Sequence, residues 1–183
     1  IRGGDDWDII LADSGHIANN LHPGRFLQPA PDDPALPPVL DPYKTIKFSG
    51  GPGADSIDAG RNIDRVFGQG EDDFIDGGYG RDIIDAGLGD DLIAVSWGDD
   101  YVDGAFGQDT LEGTRDADHL VDQGGGTGGV DRLKFDFTDD NYDTFIDFTN
   151  IEHVRLVGGV SNNVFTLTDW NGSAEVLGFF GKD

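Results

Sequence analysis

The sequence predicts an all-β fold, a stack of short strands and tight turns with metal ions held between the turns. From residue 55 to residue 118 an aspartate occupies every ninth position, an aliphatic residue follows two positions later, and glycines crowd the positions before it. A nine-residue period of this kind fits neither a helix nor the pattern of a globular enzyme. The aspartates are Asp55, Asp64, Asp73, Asp82, Asp91, Asp100, Asp109 and Asp118.

Each unit divides into a turn of about six residues and a strand of about three. Glycine is needed because the turn visits positive φ. Two units complete one coil, so residues 18 positions apart are expected to stack directly. The period therefore predicts one column of Asp55, Asp73, Asp91 and Asp109 and a second column of Asp64, Asp82, Asp100 and Asp118. The aliphatic residues face inward and form a ladder that is too thin to fold this charge alone.

The composition points to a cation as the partner of these carboxylates. The formal net charge is −24, and 32 of the 36 acidic residues are aspartate. A short carboxylate in a glycine-rich turn suits calcium. Without a cation the negative charge repels itself and opposes compaction, and it makes nucleic acid and anionic membranes poor partners. The chain has no cysteine and no hydrophobic run long enough to cross a bilayer.

Residues 50–58 and 77–85 match every position of Gly-Gly-x-Gly-x-Asp-x-(aliphatic)-x, and residues 86–94 depart from it only at the first glycine. This pattern resembles the RTX, or haemolysin-type calcium-binding, nonapeptide family. The resemblance implies a right-handed parallel β-roll. It also implies type I secretion from a Gram-negative bacterium and folding triggered by calcium outside the cell.

The same resemblance implies that the eight aspartates are calcium ligands, with backbone carbonyls of the turn glycines completing the shell. In the best-matching turns these glycines are Gly51, Gly53, Gly78, Gly80, Gly87 and Gly89. Isolated units add Asp8 and Asp131. Three gaps in each column predict about six ions, which would offset about 12 of the negative charges. The turns that begin at Gly68, Val95 and Gly113 depart from the glycine pattern, which puts metal sites there in doubt.

The pattern divides the chain into four predicted parts. Residues 1–11 hold an isolated RTX-like unit, and residues 12–49 hold seven of the eight prolines and form an arm or loop insertion. Residues 50–131 form the RTX parallel β-roll. Residues 132–183 change to a period of two and are predicted to form a C-terminal antiparallel β cap. Because the chain begins at Ile1 and contains no methionine, we expect it to be a fragment.

Apolar side chains are predicted to point outward from the stack. Tyr79 and Trp97 stack at the turn tips on one side, and Leu88 and Phe106 stack on the other. Further outward pairs on the strands are Phe74 with Leu92 and Ile83 with Tyr101. Such a surface is typical of a docking face for a partner protein or a neighbouring copy. The alternatives are that the proline-rich arm or the cap covers it, or that Tyr79 and Trp97 stack on sugars.

The sequence contains no His-Glu-x-x-His and no Gly-x-Ser-x-Gly, so we expect no enzyme activity within these residues. We expect a calcium-binding extracellular module that folds after secretion and belongs to a surface adhesin or surface-layer protein. A looser resemblance to large bacterial surface proteins, over residues 133–137, 151–156 and 162–169, favours this interpretation. The alternative is the C-terminal folding and secretion module of a calcium-dependent exoenzyme, such as a protease, a lipase or a polysaccharide-modifying enzyme.

Overall fold

The computed structural model of the protein describes residues 46–60, 63–95, 97–137 and 143–178, and all helix or strand structure in these ranges is β. The predicted isolated unit at residues 1–11, with Asp8, and most of the proline-rich segment lie outside the described residues. Within the described residues, no helix is long and apolar enough to cross a membrane.

The chain forms fourteen strands in the described ranges, and they build two sheets. In chain order the strands are β1 (Ile46–Gly51), β2 (Ser56–Asp58), β3 (Asp64–Gly70), β4 (Phe74–Asp76), β5 (Ile83–Leu88), β6 (Leu92–Val95), β7 (Asp100–Phe106), β8 (Thr110–Thr114), β9 (Asp118–Asp122), β10 (Asp131–Asp136), β11 (Thr144–Thr149), β12 (His153–Val157), β13 (Phe165–Thr168) and β14 (Ser173–Leu177). The eight-stranded sheet has the order β1-β3-β5-β7-β11-β10-β9-β13, and the six-stranded sheet has the order β14-β12-β8-β6-β4-β2.

From β1 to β8 the chain alternates between the two sheets and every neighbouring pair is parallel. In one sheet Ile57 lies opposite Ile75 and Ile75 opposite Ile93, and in the other Val66 lies opposite Ile84. These partners are 18 residues apart, which confirms two units per coil. The all-β prediction is confirmed and the parallel sheets are those of a β-roll. The last four residues of the predicted arm, 46–49, belong to β1 of this roll.

The core is a ladder of the aliphatic residues that follow the aspartates. Each is at most 1 % exposed, and the ladder consists of Ile57, Val66, Ile75, Ile84, Ile93, Val102 and Leu111. Full burial of one such side chain stabilises a fold by roughly 1.5–3 kcal/mol. Each strand from β2 to β8 contributes one side chain to the ladder. The roll therefore buries little apolar surface to offset the repulsion between the acidic side chains of its turns.

The C-terminal segment contains the predicted antiparallel pairing but also continues the roll. β10 pairs antiparallel with β9 and with β11. In contrast, β11 pairs parallel with β7, β12 with β8, and β14 with β12. Phe135, Phe148 and Leu156 are fully buried and extend the apolar ladder. Residues 143–157 therefore add a further coil on the last repeat, where a purely antiparallel cap was expected.

Candidate metal sites between the stacked turns

The turns of the roll form two stacks. The side-one column consists of turns 50–55, 68–73, 86–91 and 104–109, which precede β2, β4, β6 and β8. The side-two column consists of turn 77–82 and of the described residues of turns 59–64 and 95–100, without residues 61, 62 and 96. In both columns the backbone N–H of an aspartate donates to Oδ1 of the aspartate 18 residues later. On side one these bonds join Asp55 to Asp73, Asp73 to Asp91 and Asp91 to Asp109, at 2.7, 2.8 and 2.9 Å. On side two they join Asp64 to Asp82 and Asp82 to Asp100, at 2.8 and 2.9 Å.

The second oxygen of these carboxylates has a different environment. Oδ2 of Asp73, Asp82, Asp91 and Asp109 is buried, and it accepts no hydrogen bond from the described residues. A buried carboxylate oxygen without a donor is costly because it has lost water and gained nothing in return. Each of these four aspartates is therefore held through Oδ1, while its Oδ2 is buried without a donor among the described residues.

Because glycine has no side chain, the backbones of adjacent turns can come into direct contact. Gly78 and Gly89 have φ of +82° and +132°, a region that other residues adopt only with strain. A Cβ on Gly78 would collide with the carbonyl oxygen of Gly60, and a Cβ on Gly89 would collide with that of Glu71. Carbonyl oxygens of one turn thus lie directly against the backbone of the next turn.

The other predicted glycines lie in the same turns. Gly80 and Gly87 also have positive φ, at 153° and 117°. Gly51 ends β1 opposite Gln69, and Gly53 lies in the turn before Asp55. The predicted glycines and the stacked aspartates therefore share the same turns.

Turn 68–73 keeps the repeat conformation although it lacks two of the expected glycines. Gln69 and Glu71 stand at glycine positions and adopt φ of 86° and 65°. The Asp73 carboxylate still accepts the N–H of Asp55 at 2.7 Å. The stack therefore forces these two residues into the left-handed region. The backbone of this turn follows the repeat although its glycine pattern does not.

Asp118 does not join the side-two column, so that part of the prediction is wrong. Strands β11 and β10 lie between β7 and β9, and Ile146 lies opposite Asp100. Asp118 Oδ1 instead accepts the N–H of Val164 at 2.7 Å. The turn before it lacks the glycines that close stacking requires, and Gly113 lies under the side chains of Phe135 and Leu133. The second column therefore contains three aspartates.

Asp131 also lies apart from both columns. It begins β10, and its Oδ1 accepts the N–H of Gly124 at 2.9 Å in an exposed loop. Sequence reasoning missed a different acidic residue, Glu152, which lies in the short connection between β11 and β12. Its Oε2 accepts the N–H of Asp109 at 2.9 Å, as the next aspartate of the column would. The separation of 43 residues hides it from the nine-residue period.

Burial and mutual repulsion shift the titration of the stacked carboxylates. Burial, together with the repulsion of the neighbouring Asp100 and Asp64, raises the pKa of Asp82 to about 8. Burial likewise raises the pKa of Asp100 to about 7 and the pKa values of Asp73 and Asp109 to about 6. At neutral pH these groups need either a proton or a cation.

The donor set fits calcium. Among the described residues no group of three or more aspartate, glutamate, histidine or cysteine side chains converges on one point. An ion between two turns would therefore use one or two carboxylates, with backbone carbonyls and water as its other ligands. Calcium accepts six to eight oxygen ligands of this mixed kind in flexible geometry. Bound there, it would supply the positive charge that the buried oxygens lack.

The raised pKa values predict that calcium-depleted protein folds better in acid. A group whose folded pKa lies above its unfolded value stabilises the fold fully below the unfolded pKa, and this contribution is lost as the pH rises through the folded pKa. Here the window runs from about 4 to about 8, set by the ordinary value of 3.8 and the raised value of Asp82. Circular dichroism of calcium-depleted protein should show more strand signal at pH 5 than at pH 8. A strand signal that grows with rising pH would contradict the assignment.

Comparison with known families agrees with this geometry. The family model described as "RTX calcium-binding nonapeptide repeat (4 copies)" matches the chain at residues 49–78, 59–93 and 76–111. Comparison with curated proteins and with solved structures gave no significant match. The matched residues include every turn of both columns, so this block is a calcium-binding repeat module. Residues 49–111 of this chain are thus an RTX calcium-binding nonapeptide repeat block, as the family match and the stacked turns both indicate.

Proposed function

We propose that this chain is a calcium-dependent folding and interaction module of a secreted bacterial protein, and that it works as part of a cell-surface adhesin or surface layer. One observation carries the calcium part of the proposal. In both columns the Oδ1 of every aspartate after the first accepts the N–H of the neighbouring turn, and in four of them, Asp73, Asp82, Asp91 and Asp109, Oδ2 is buried without a donor among the described residues. A cation between the turns would satisfy these oxygens and remove the repulsion within each column.

The ligands would be the seven stacked aspartates, with backbone carbonyls of the turns. These are Asp55, Asp64, Asp73, Asp82, Asp91, Asp100 and Asp109. Five hydrogen-bonded pairs of turns join them, three on side one and two on side two. We therefore infer about five ions in the repeat columns, one fewer than the period predicts, because Asp118 lies elsewhere.

The charge gives this module a reason to fold only outside the cell. At a net charge of −24 the metal-free chain repels itself, so low cytosolic calcium would keep it unfolded for export. Millimolar external calcium would occupy sites of the weak extracellular class, and the binding free energy would become folding free energy. Type I secretion is compatible with such a chain because that route exports unfolded protein.

The outward apolar residues support an interaction role. Tyr79 lies beside Trp97 and Leu88 opposite Phe106, as the 18-residue spacing predicts. Leu88 and Phe106 are 58 % and 73 % exposed. On the other side the ring of Trp97 stacks on Phe137 at 5.7 Å and carries the Arg115 guanidinium 4.2 Å from its centroid. The C-terminal segment therefore covers part of one tip stack, and the Leu88–Phe106 stack is the better docking candidate.

Calcium removal tests the proposed folding role. Far-ultraviolet circular dichroism of the full chain at pH 7.5 should show strand signal in millimolar calcium and an unfolded spectrum after complete chelation. Magnesium at the same concentration serves as the control, because its stricter octahedral geometry and slower dehydration suit such sites poorly. A strand signal that persists without calcium at this pH would sink the proposal.

A further inference from the structure

The side-one column does not end with the last repeat. The connection between β11 and β12, residues 150–152, lies on turn 104–109 where the next repeat turn would lie. The N–H groups of Glu152 and His153 both donate to the carbonyl oxygen of Asp109. This connection lies outside the repeat block, because the family match ends at residue 111.

Its polar atoms reproduce the gap between two repeat turns. In the interior gap between turns 68–73 and 86–91, the Asp73 N–H donates to the next carboxylate, that of Asp91, at 2.8 Å. At the junction the Asp109 N–H donates to Glu152 Oε2 at 2.9 Å. Both gaps thus use the same pairing of backbone and carboxylate.

The carbonyl and the buried carboxylate oxygen also recur. A Cβ on Gly68 would collide with both the carbonyl oxygen of Ala86 and Oδ2 of Asp73. At the junction a Cβ on Gly104 would collide with the carbonyl oxygen of Asn150 and would lie 2.6 Å from Oδ2 of Asp109. Asp109 is fully buried, and its Oδ2 accepts no hydrogen bond from the described residues. An unsatisfied acidic oxygen therefore lies at this junction beside a backbone carbonyl.

We propose that the junction between turn 104–109 and residues 150–152 is an additional calcium site, with Asp109, Glu152 and the Asn150 carbonyl among its ligands. The inference rests on the proposed calcium role of the columns and extends it to a glutamate that the repeat does not contain. The connection supplies three residues where a repeat turn supplies six, so water would complete the shell. This ion would be the weakest of its column.

The site would tie the C-terminal coil to the roll. Asn150 adopts φ of 53° and its side chain donates to Asp103 Oδ1 at 2.8 Å, which fixes its backbone beside β7. The Trp170 ring lies close to this connection, because a Cβ on Gly172 would contact both the ring and the Glu152 carbonyl oxygen. Occupation of the junction would order residues 143–178 on the last repeat.

Ion counting tests the site. Equilibrium dialysis of the full chain against calcium should give one fewer bound ion per chain for Glu152→Gln than for the unchanged protein. The matched control is Glu175→Gln, which makes the same change of charge on β14, where Glu175 pairs with Arg155 at 3.0 Å. Glu152→Asp keeps a carboxylate and should restore the count.

The outcomes separate this inference from the proposed function. An unchanged protein that binds no calcium would overturn both, whereas equal counts for Glu152→Gln and the unchanged protein would overturn the junction site alone. Terbium supplies a measurement that needs no change at Glu152. Its luminescence, excited through indole, should fall in Trp170→Phe by the part that Trp170 sensitises while the ion count stays constant, because Trp97 still serves the side-two column. Unchanged luminescence would contradict the site.

Discussion

Replacing Asp73 and Asp91 together by asparagine should destabilise the calcium-bound protein by about 4 kcal/mol. The two residues border all three gaps of the side-one column. Asparagine keeps an Oδ1 that accepts the N–H of the preceding turn, so the loss falls on the charged oxygen that faces the ion. At calcium tenfold above the dissociation constant each lost ion costs about 1.4 kcal/mol. Urea unfolding at fixed calcium measures the difference.

The matched control is the double substitution Asp58→Asn and Asp85→Asn. It removes the same charge from β2 and β5, where both residues lie on strands and outside the columns. This control should change stability by less than about 1 kcal/mol, as is usual for positions away from buried networks. Equal effects of the two double variants would contradict the ligand assignment.

The order of stability of the Asp73 and Asp91 variant and the unchanged protein should reverse when calcium is removed. In the metal-free state burial raises the pKa of Asp73, and the repulsion of the neighbouring Asp91 and Asp55 adds to this rise. Asparagine removes this repulsion, so after chelation at pH 6, where part of the strand signal should survive, the Asp73 and Asp91 variant should retain at least as much of it as the unchanged protein. Replacing an aspartate whose only role is packing would destabilise the protein both with and without calcium. The crossing therefore distinguishes an ion ligand from a structural aspartate.

The period of the sequence predicts most of the roll because one register repeats. Once residues 18 apart stack, the partners of Ile57, Asp73 and Leu88 are all set, and each is observed. The outward tips follow from the same phase. Where glycine is replaced inside a stack, as at Gln69, the neighbouring turns hold the backbone in the expected conformation. Local departures therefore matter less than the register of the whole column.

The ends of the columns could not be predicted because no period reaches them. On side two, Arg115 occupies a tip position and lies over Trp97, 18 residues before it, although its own turn no longer stacks. The charge of this guanidinium opposes the rise in the pKa of Asp100. On side one, Glu152 continues the column from a strand pair formed over 43 residues. Such long-range pairing depends on which sheet edge is free, and a repeat pattern carries no information about that.

Gly89→Ala should destabilise the calcium-bound protein by roughly 3 kcal/mol, the range of substitutions that strain the backbone and displace neighbours. Gly89 has φ of +132°, and an added Cβ would collide with the backbone carbonyl of Glu71 and lie 2.9 Å from the amide nitrogen of Asp72. Both neighbours are backbone atoms of the turn below, so no side-chain movement relieves the contact. The two turns must separate, and their carbonyl oxygens then leave the gap between Asp73 and Asp91.

Gly70→Ala is the matched control for this change. Gly70 lies in the turn below, and the atoms nearest to an added Cβ are those of Leu88, at 4.0 Å. Because alanine restricts the unfolded chain, this substitution should stabilise the protein slightly, by about 0.5 kcal/mol. Urea unfolding in saturating calcium should therefore give effects of opposite sign for two identical chemical changes on adjacent turns. Similar effects would mean that the close approach of the backbones does not set the spacing of the column, and the carbonyl oxygens would then have no fixed place as ligands.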